Sequence, residues 1–451
     1  MNKTFFPLIP LLFAAAHVGA IDLSGPTEWA SIHTNAIHAW QAGQKPSASL
    51  KVWNGVVADL SKREVRFLVE ASGHRSGVTT EFAVVGPMSD RAYESAAVSV
   101  ASPGDIVRAV EALGTPRGGC VDGRIFRFWP CGERYAASFR ALEGDDKPSP
   151  VASLFLDTDK ASPMLGEGGI VFTGGEWRDG VCLTDTNMPS SVISLYNEGQ
   201  TVFDIPFQFG QSEVYGRVTL AKTFKQGDLL EFILRPILSP DGKLRVHHYT
   251  VKVSPRADGG VVATLLDTDG TRKNDGSLAD TLTALRQCQT SGIDPFVMLD
   301  LAESLTVKQA QEIATAFELL DGKGLKMDGR PEGGLFFRAY LPLAKWRERK
   351  DRIPQPFEVH LARDADGKTK KTLTFVEEDW SGEELDPKLT PRDYPFEQWE
   401  ELPSLVKKTG GEENKVNVLF LFAPLDMKLG DVLPAARVLQ SRLPVVYLFG
   451  D

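Results

Sequence analysis

The chain has 451 residues, of which 42% are apolar and 24% charged, and a net charge of −10. That composition builds hydrophobic cores and argues against a disordered protein. An acidic chain without a basic stripe also excludes nucleic acid and anionic lipid as main partners, because phosphate contacts dominate such affinity.

At roughly 100–200 residues per domain, the length predicts two to four domains. The first twenty residues, MNKTFFPLIPLLFAAAHVGA, read as a secretory signal peptide. Lys3 supplies the positive start, residues 5–16 the apolar run, and Val18-Gly19-Ala20 the small residues before a cut after Ala20. The run is shorter than the roughly 20 residues a membrane span needs, and Pro7 and Pro10 oppose a buried helix. No later stretch is long enough to span a bilayer; the best, VNVLFLFAPL (416–425), reads as a buried strand. The mature chain is expected to be soluble, periplasmic or secreted, and not membrane-spanning once the leader is removed.

Residues 21–47 hold a helix and a linker. Pro26 opens the helix, Trp29, Ile32, Ala36 and Trp40 recur at helical spacing, and Gly43 ends it. Residues 48–205 turn to short strands, with an Asn54-Gly55 hairpin signal. One clear helix interrupts them, capped by Ser102, started by Pro103, lined by Ile106, Val110 and Leu113, and closed by Gly114. Residues 206–256 read as a small β unit of three strands, the last two joined by Pro240-Asp241-Gly242.

From there the pattern becomes strand-helix-strand, twice, in units 257–353 and 354–451. The first holds GVVATLLDTDG, a helix with a Ser277/Asp280 capping box, PFVMLDL, and a helix opened by Thr306 with Gln309. The second holds PFEVHLA, KTLTFVEEDW, a helix around Trp399, Leu402 and Val406, then VNVLFLFAP, LGDVLPAARVLQSRL and PVVYLFG. VMLDL and FLFAP lie 123 residues apart and the following helices align, which predicts a structural repeat. The expected fold class is a multi-domain α+β and α/β protein: a β-rich N-terminal domain with one clear helix, a small β unit, and two similar βαβ-containing units.

Cys120 and Cys131 lie in a strand-turn-strand stretch, with a turn at Asp122-Gly123 and an alternating strand RIFRFW. In an oxidising compartment a disulfide is the leading reading, stabilising by roughly 2–3 kcal/mol; two buried thiols are the alternative. A redox or zinc role is disfavoured, because ten residues separate the thiols and no histidine lies within forty of either. Cys288 falls on the apolar face of Leu278, Leu282 and Leu285, as a core cysteine does; its pairing with Cys182 is left open.

His247 and His248 are strand neighbours and point to opposite faces, and His33 and His38 sit on different faces of one helix. No nucleophile elbow, zinc-protease, phosphate-loop or dinucleotide motif occurs. DTDGTRKNDG (267–276) fails the EF-hand register and reads as a hairpin turn. Glu377, Glu378 and Asp379 beside Trp380, and the mixed-charge run 345–352, read as solvated surface. No catalytic, cofactor-binding or metal-ligating residue is assigned, and no cofactor is expected.

The segments RAYESAAVSVASPGDIVRAVEALG (91–114) and GIVFTGGEWRDGVCLTDTNMPSSVISLYNEGQTVFDIP (169–206) resemble the bacterial YdjY-type family of unknown function, over residues 51–205. That family carries a His-Glu-Ser triplet; here it is Tyr93-Glu94-Ser95, so any role of the imidazole is lost. Phe172-Thr173-Gly174 and Leu195-Tyr196-Asn197 are kept. The C-terminal units are similar to the periplasmic domains of ExbD-type transport proteins, without the membrane helix and its aspartate. The resemblances imply an envelope domain that binds peptide or partner strands. The resulting reading is a non-catalytic binding or scaffold protein whose partner is an envelope protein or peptide; the alternative is an extracytoplasmic hydrolase with an unrecognised site.

Overall fold

A computed structural model describes residues 26–121, 130–142, 147–160, 162–166, 169–207, 209–267, 269–321, 326–327, 335–336, 357–379, 388–410, 418–439 and 445–450. The leader with Ala20, the turn and strand at 122–129, the run 345–352 and Trp380 lie outside these residues.

The first helix, α1 (Pro26–Gly43), is followed by a hairpin of β1 (Leu50–Trp53) and β2 (Val56–Asp59). Gly55 supplies its positive φ of 71°. Next come β3 (Glu64–Ala71), β4 (Phe82–Val85) and β5 (Ser95–Ser99). Helix α2 (Pro103–Ala112) starts as its sequence demands, with the Ser102 side chain accepting from Asp105 N at 3.1 Å and Gly114 at φ 83° beyond its end. The carboxylate of Asp185 adds a second cap by accepting from Gly104 N at 2.6 Å. Strands β6 (Arg134–Ala141), β7 (Ile170–Phe172), β8 (Ser191–Ser194), β9 (Phe203–Asp204) and β10 (Leu229–Pro236) follow, with shorter strand pairs between them.

Eight of these strands close on themselves in the order β3-β10-β6-β7-β9-β8-β4-β5 and back to β3. All neighbours are antiparallel except β8–β9 and β4–β5. The alternation of β3 explains its two faces. Val65, Phe67, Val69 and Ala71 enter the core, while Glu64, Arg66 and Glu70 take the other side. Phe67, Phe232 and Phe139 are register partners across three strands and pack at 5.6 and 6.1 Å; Tyr135, Phe172 and Phe203 form a second aromatic cluster.

On the outer side, Glu231 is 1% exposed and satisfied by three donors: Arg66 Nη1 at 2.9 Å, Arg140 Nε at 2.7 Å and Trp40 Nε1 of α1 at 3.0 Å. This carboxylate pins the N-terminal helix to the barrel.

The second half contains β11 (Val246–Pro255), β12 (Val261–Leu266), β13 (Arg272–Gly276), α3 (Leu278–Thr290), β14 (Asp294–Leu301), α4 (Val307–Asp321) and β15 (Lys326–Met327). After the edge strand β16 (Leu335–Phe336) the same series returns: β17 (Phe357–Arg363), β18 (Thr369–Asp379), β19 (Lys388–Phe396), α5 (Leu402–Gly410), β20 (Val418–Ala423), α6 (Leu429–Leu439) and β21 (Val445–Gly450). Each sheet runs third, second, first, fourth, fifth strand of its unit, with the first strand antiparallel to the second and parallel to the fourth. Two units of one topology are thus present, but the first begins at β11, before the boundary expected at 257, and β16 pairs with β21 of the second sheet.

One hydrophobic core spans both units, from Val251 and Leu285 to Leu421 and Leu448. The loops before α4 and α6 pair with each other. Val307 N donates to Met427 O and Leu429 N to Leu305 O, both at 2.8 Å; Lys308 N donates to Leu425 O and Gly430 N to Glu303 O, both at 2.9 Å. Each bond maps onto its counterpart by a shift of 122 residues, as from Val307 to Leu429. The two units are therefore related by a local two-fold.

Residues 206–256 do not form one unit. Val218–Leu220 pairs with Phe155–Asp157, β10 is a barrel strand, and β11 is the first strand of the repeat. The Pro240-Asp241-Gly242 turn joins the two halves instead of closing a hairpin. The junction is fixed by Glu133, 2% exposed, which accepts from Arg245 N at 2.9 Å and Val246 N at 3.0 Å.

Glu231→Ala should destabilise the barrel by about 2–4 kcal/mol in urea unfolding, because two guanidinium groups and an indole lose their shared acceptor. A loss below about 1 kcal/mol would show that α1 is held by other contacts.

Candidate functional site

The barrel brings the ends of three strands together. Glu81 precedes β4, Glu94 precedes β5, and Tyr196 follows β8. Backbone bonds lock the three segments: Glu81 N donates to Glu94 O at 2.9 Å, and Leu195 N donates to Glu81 O at 2.9 Å. A short helical turn, Gln211–Val214, and Tyr215 complete the group.

Glu81 is 1% exposed and Glu94 9%. Gln211 Nε2 donates to Glu81 Oε2 at 2.9 Å, while the buried Oε1 has no hydrogen-bond partner among the described residues. Arg91 Nη1 donates to Glu94 Oε1 at 2.9 Å and to the Tyr93 hydroxyl at 2.8 Å, and Arg91 Nε lies 3.3 Å from Asp90. Burial, then the charge of Glu81, holds the Glu94 carboxyl above its ordinary value. Its hydrogen bond to the Glu81 carboxylate, then burial, lifts the Tyr215 hydroxyl to about 12. Tyr196 is buried, edge-on to Phe82 at 5.5 Å, while Tyr93 and Tyr215 are 46% and 60% exposed. The result is a pair of carboxylates under an exposed tyrosine rim, with one guanidinium engaged beside them.

The segments of the YdjY-type resemblance take part unequally. Glu94 of the Tyr93-Glu94-Ser95 triplet and Tyr196 enter the site. Asn197 stitches the next loop, donating from Nδ2 to Asp204 Oδ1 at 3.1 Å and accepting from Phe209 N at 2.7 Å. Thr173 is equally structural, its hydroxyl donating to the Thr201 and Val202 carbonyls. His74 is buried with Nε2 3.3 Å from Ala92 O, beside the triplet, and burial holds its imidazole below its ordinary value.

Cys120 and Cys131 do not join this group, and none of the four cysteines is in a disulfide. The crosslink read from the sequence is not made, for a reason of register. Gly119 and Cys131 are the antiparallel partners, exchanging N–H···O bonds of 2.8 and 2.9 Å. Cys120 is one residue out of step, so its side chain takes the opposite face and donates to Thr201 O at 3.3 Å. Gly118 and Gly132 permit this close approach, since a Cβ would come within 1.8 Å of Cys131 O and 2.0 Å of Phe172 O. Cys182 is buried in the barrel half, whereas Cys288 faces the second core with Tyr249 Oη 3.7 Å away; they do not pair.

The other candidates behave as surface. The 267–276 segment is the hairpin between β12 and β13, with Asp267 N bonded to Thr271 O. Glu377 is ion-paired with Arg392 at 3.1 Å. No group of three or more acidic, His or Cys side chains among the described residues is placed to hold a metal. No helix among them is long and apolar enough to cross a membrane.

No family model matches the chain, and no curated protein matches it. Among solved structures it is similar to the native protease–reverse transcriptase of prototype foamy virus, at 9% identity and a TM-score of 0.13. The foamy viral protease–reverse transcriptase bound to an RNA/DNA hybrid gives 8% identity and a TM-score of 0.13. Each likeness covers 46% of this chain and 36% of the other, and at that TM-score carries no argument about fold or activity.

Glu198, beside the site, is pushed up to about 7 by burial, with Glu176 adding to it, and its Oε2 is buried without a hydrogen-bond partner among the described residues. A raised carboxyl binds its proton more tightly in the folded state, so its stabilisation is full below the ordinary value of 4.5 and is lost as pH rises to about 7. Glu198→Gln should be more stable than wild type at pH 8, by roughly 3 kcal/mol at most, and equal to it near pH 4 in urea unfolding. A difference independent of pH would contradict this.

Proposed function

We propose that this chain is a non-catalytic, extracytoplasmic binding or scaffold protein that holds an envelope protein or peptide at the Glu81–Glu94 end of its barrel. The leader-like N-terminus supports the compartment. The observation that carries the binding role is the buried Glu81 carboxylate, whose Oε1 has no hydrogen-bond partner among the described residues, beneath exposed tyrosines. An orphaned buried acceptor costs about 1–3 kcal/mol, more when charged, and a ligand donor removes that cost. The tandem units, joined to the barrel through Glu133, serve as the scaffold.

One observation favours a second reading as a hydrolase. Glu94 sits beside Glu81 and holds its proton above the ordinary range, as a general acid must. Its pairing with Arg91 and the absence of an activated nucleophile in the group argue for binding instead.

Hydrogen exchange of the full chain with a defined pool of synthetic peptides should give new protection at residues 79–95 and 211–217. No protection, or protection confined to residues 246–450, would overturn the proposal. Hydrolysis of a peptide or glycoside that is lost in Glu94→Gln would establish the second reading in its place.

A further inference from the structure

The charge around the tyrosine rim is unbalanced, and the imbalance points to a kind of ligand. Two buried carboxylates, Glu81 and Glu94, meet where, among the described residues, Arg91 is the cation in contact. Arg91 is divided among Glu94, Tyr93 and Asp90. Glu81 receives two neutral donors, the Gln211 amide and the Tyr215 hydroxyl, and its Oε1 is buried without a hydrogen-bond partner among the described residues. A carboxylate 1% exposed with an empty acceptor position fits a charged donor best. Above it stand Tyr93 and Tyr215, exposed by 46% and 60%, whose ring faces attract cations. The donor set suits an organic cation better than a metal, because a third acidic, imidazole or thiolate ligand is not gathered with the two carboxylates among the described residues.

We infer that this end of the barrel binds the ammonium or guanidinium side chain of a lysine or arginine in a partner peptide, with Glu81 Oε1 accepting its hydrogen bond and Tyr93 and Tyr215 flanking its stem. The inference rests on the proposed role of this end as the binding site and adds the charge of what it takes. Glu81 sets the charge preference, the tyrosines supply contact area, and Arg91 keeps Glu94 in place. Acidic peptides are rejected by the same two carboxylates.

The test is calorimetric titration of the full chain with N-acetylated, C-amidated tripeptides Ala-Lys-Ala and Ala-Arg-Ala, against the neutral isostere Ala-norleucine-Ala, Ala-Glu-Ala and calcium chloride. The two cationic peptides should bind saturably at one site and weaken with salt, and the norleucine peptide should bind at least tenfold more weakly. Glu81→Gln should lose at least tenfold for the cations while its circular dichroism stays that of wild type. Tyr215→Ala should lose several-fold. Equal binding of the norleucine peptide, or cation affinity unchanged in Glu81→Gln, overturns the charge preference and leaves the binding site standing. Calcium binding abolished by Glu81→Gln overturns the organic-cation assignment in favour of a metal. Heat from none of the ligands overturns both the inference and the reading beneath it.

Discussion

The constraint on which the N-terminal half depends is the double use of β3. One edge pairs with β10 along six residues; the other pairs with β2 at its start and with β5 at its end. The β3–β5 contact closes the ring and leaves the β1–β2 hairpin outside it. Closure removes exposed edges and fixes where every strand end must lie. The parallel pairing of β4 with β5 places Glu81 and Glu94 at the same end, and antiparallel β8 delivers Tyr196 there. The acidic group is thus a product of topology more than of local sequence. Its cost in buried charge is borne by a core of more than a dozen aromatic and branched side chains.

The C-terminal half follows a different constraint. Each α/β unit would leave one face of its sheet uncovered, and one shared core solves this for both. The paired loops at 303–308 and 425–430 reproduce one another's bonds, which is the behaviour of a symmetric dimer interface built within a single chain. Two of the sheet edges are blunted. β13 reads Arg-Lys-Asn-Asp-Gly, and β19 carries Pro391 and Pro395. That disfavours strand addition at those two edges.

Much of this was legible in the residues. The cap at Ser102, the Asn54-Gly55 hairpin and the Ser277/Asp280 box rest on local chemistry, and the structure contains all three; the echo read at 123 residues is a repeat at 122. What was not legible was partnership. Strand β10 reads as a strand from its apolar run, but nothing local says that it lies between β3 and β6. The same limit misplaced β11 in a separate unit. The cysteines failed on register, since a one-residue offset turns a facing pair into a diverging one. Glu81 could have been noticed as a charge beside the fully apolar Phe82–Val85, but its companions lie 13 and 130 residues away, at Glu94 and Gln211.

The central claim is that Glu81 is held buried and incompletely partnered for a ligand, at the expense of stability. The unfolding free energy of ligand-free Glu81→Gln at pH 8 measures that directly. An amide there avoids burying the charge, so the account predicts a variant at least as stable as wild type. A variant less stable by more than about 1 kcal/mol would mean that the carboxylate is a structural member of the barrel, and would contradict the account.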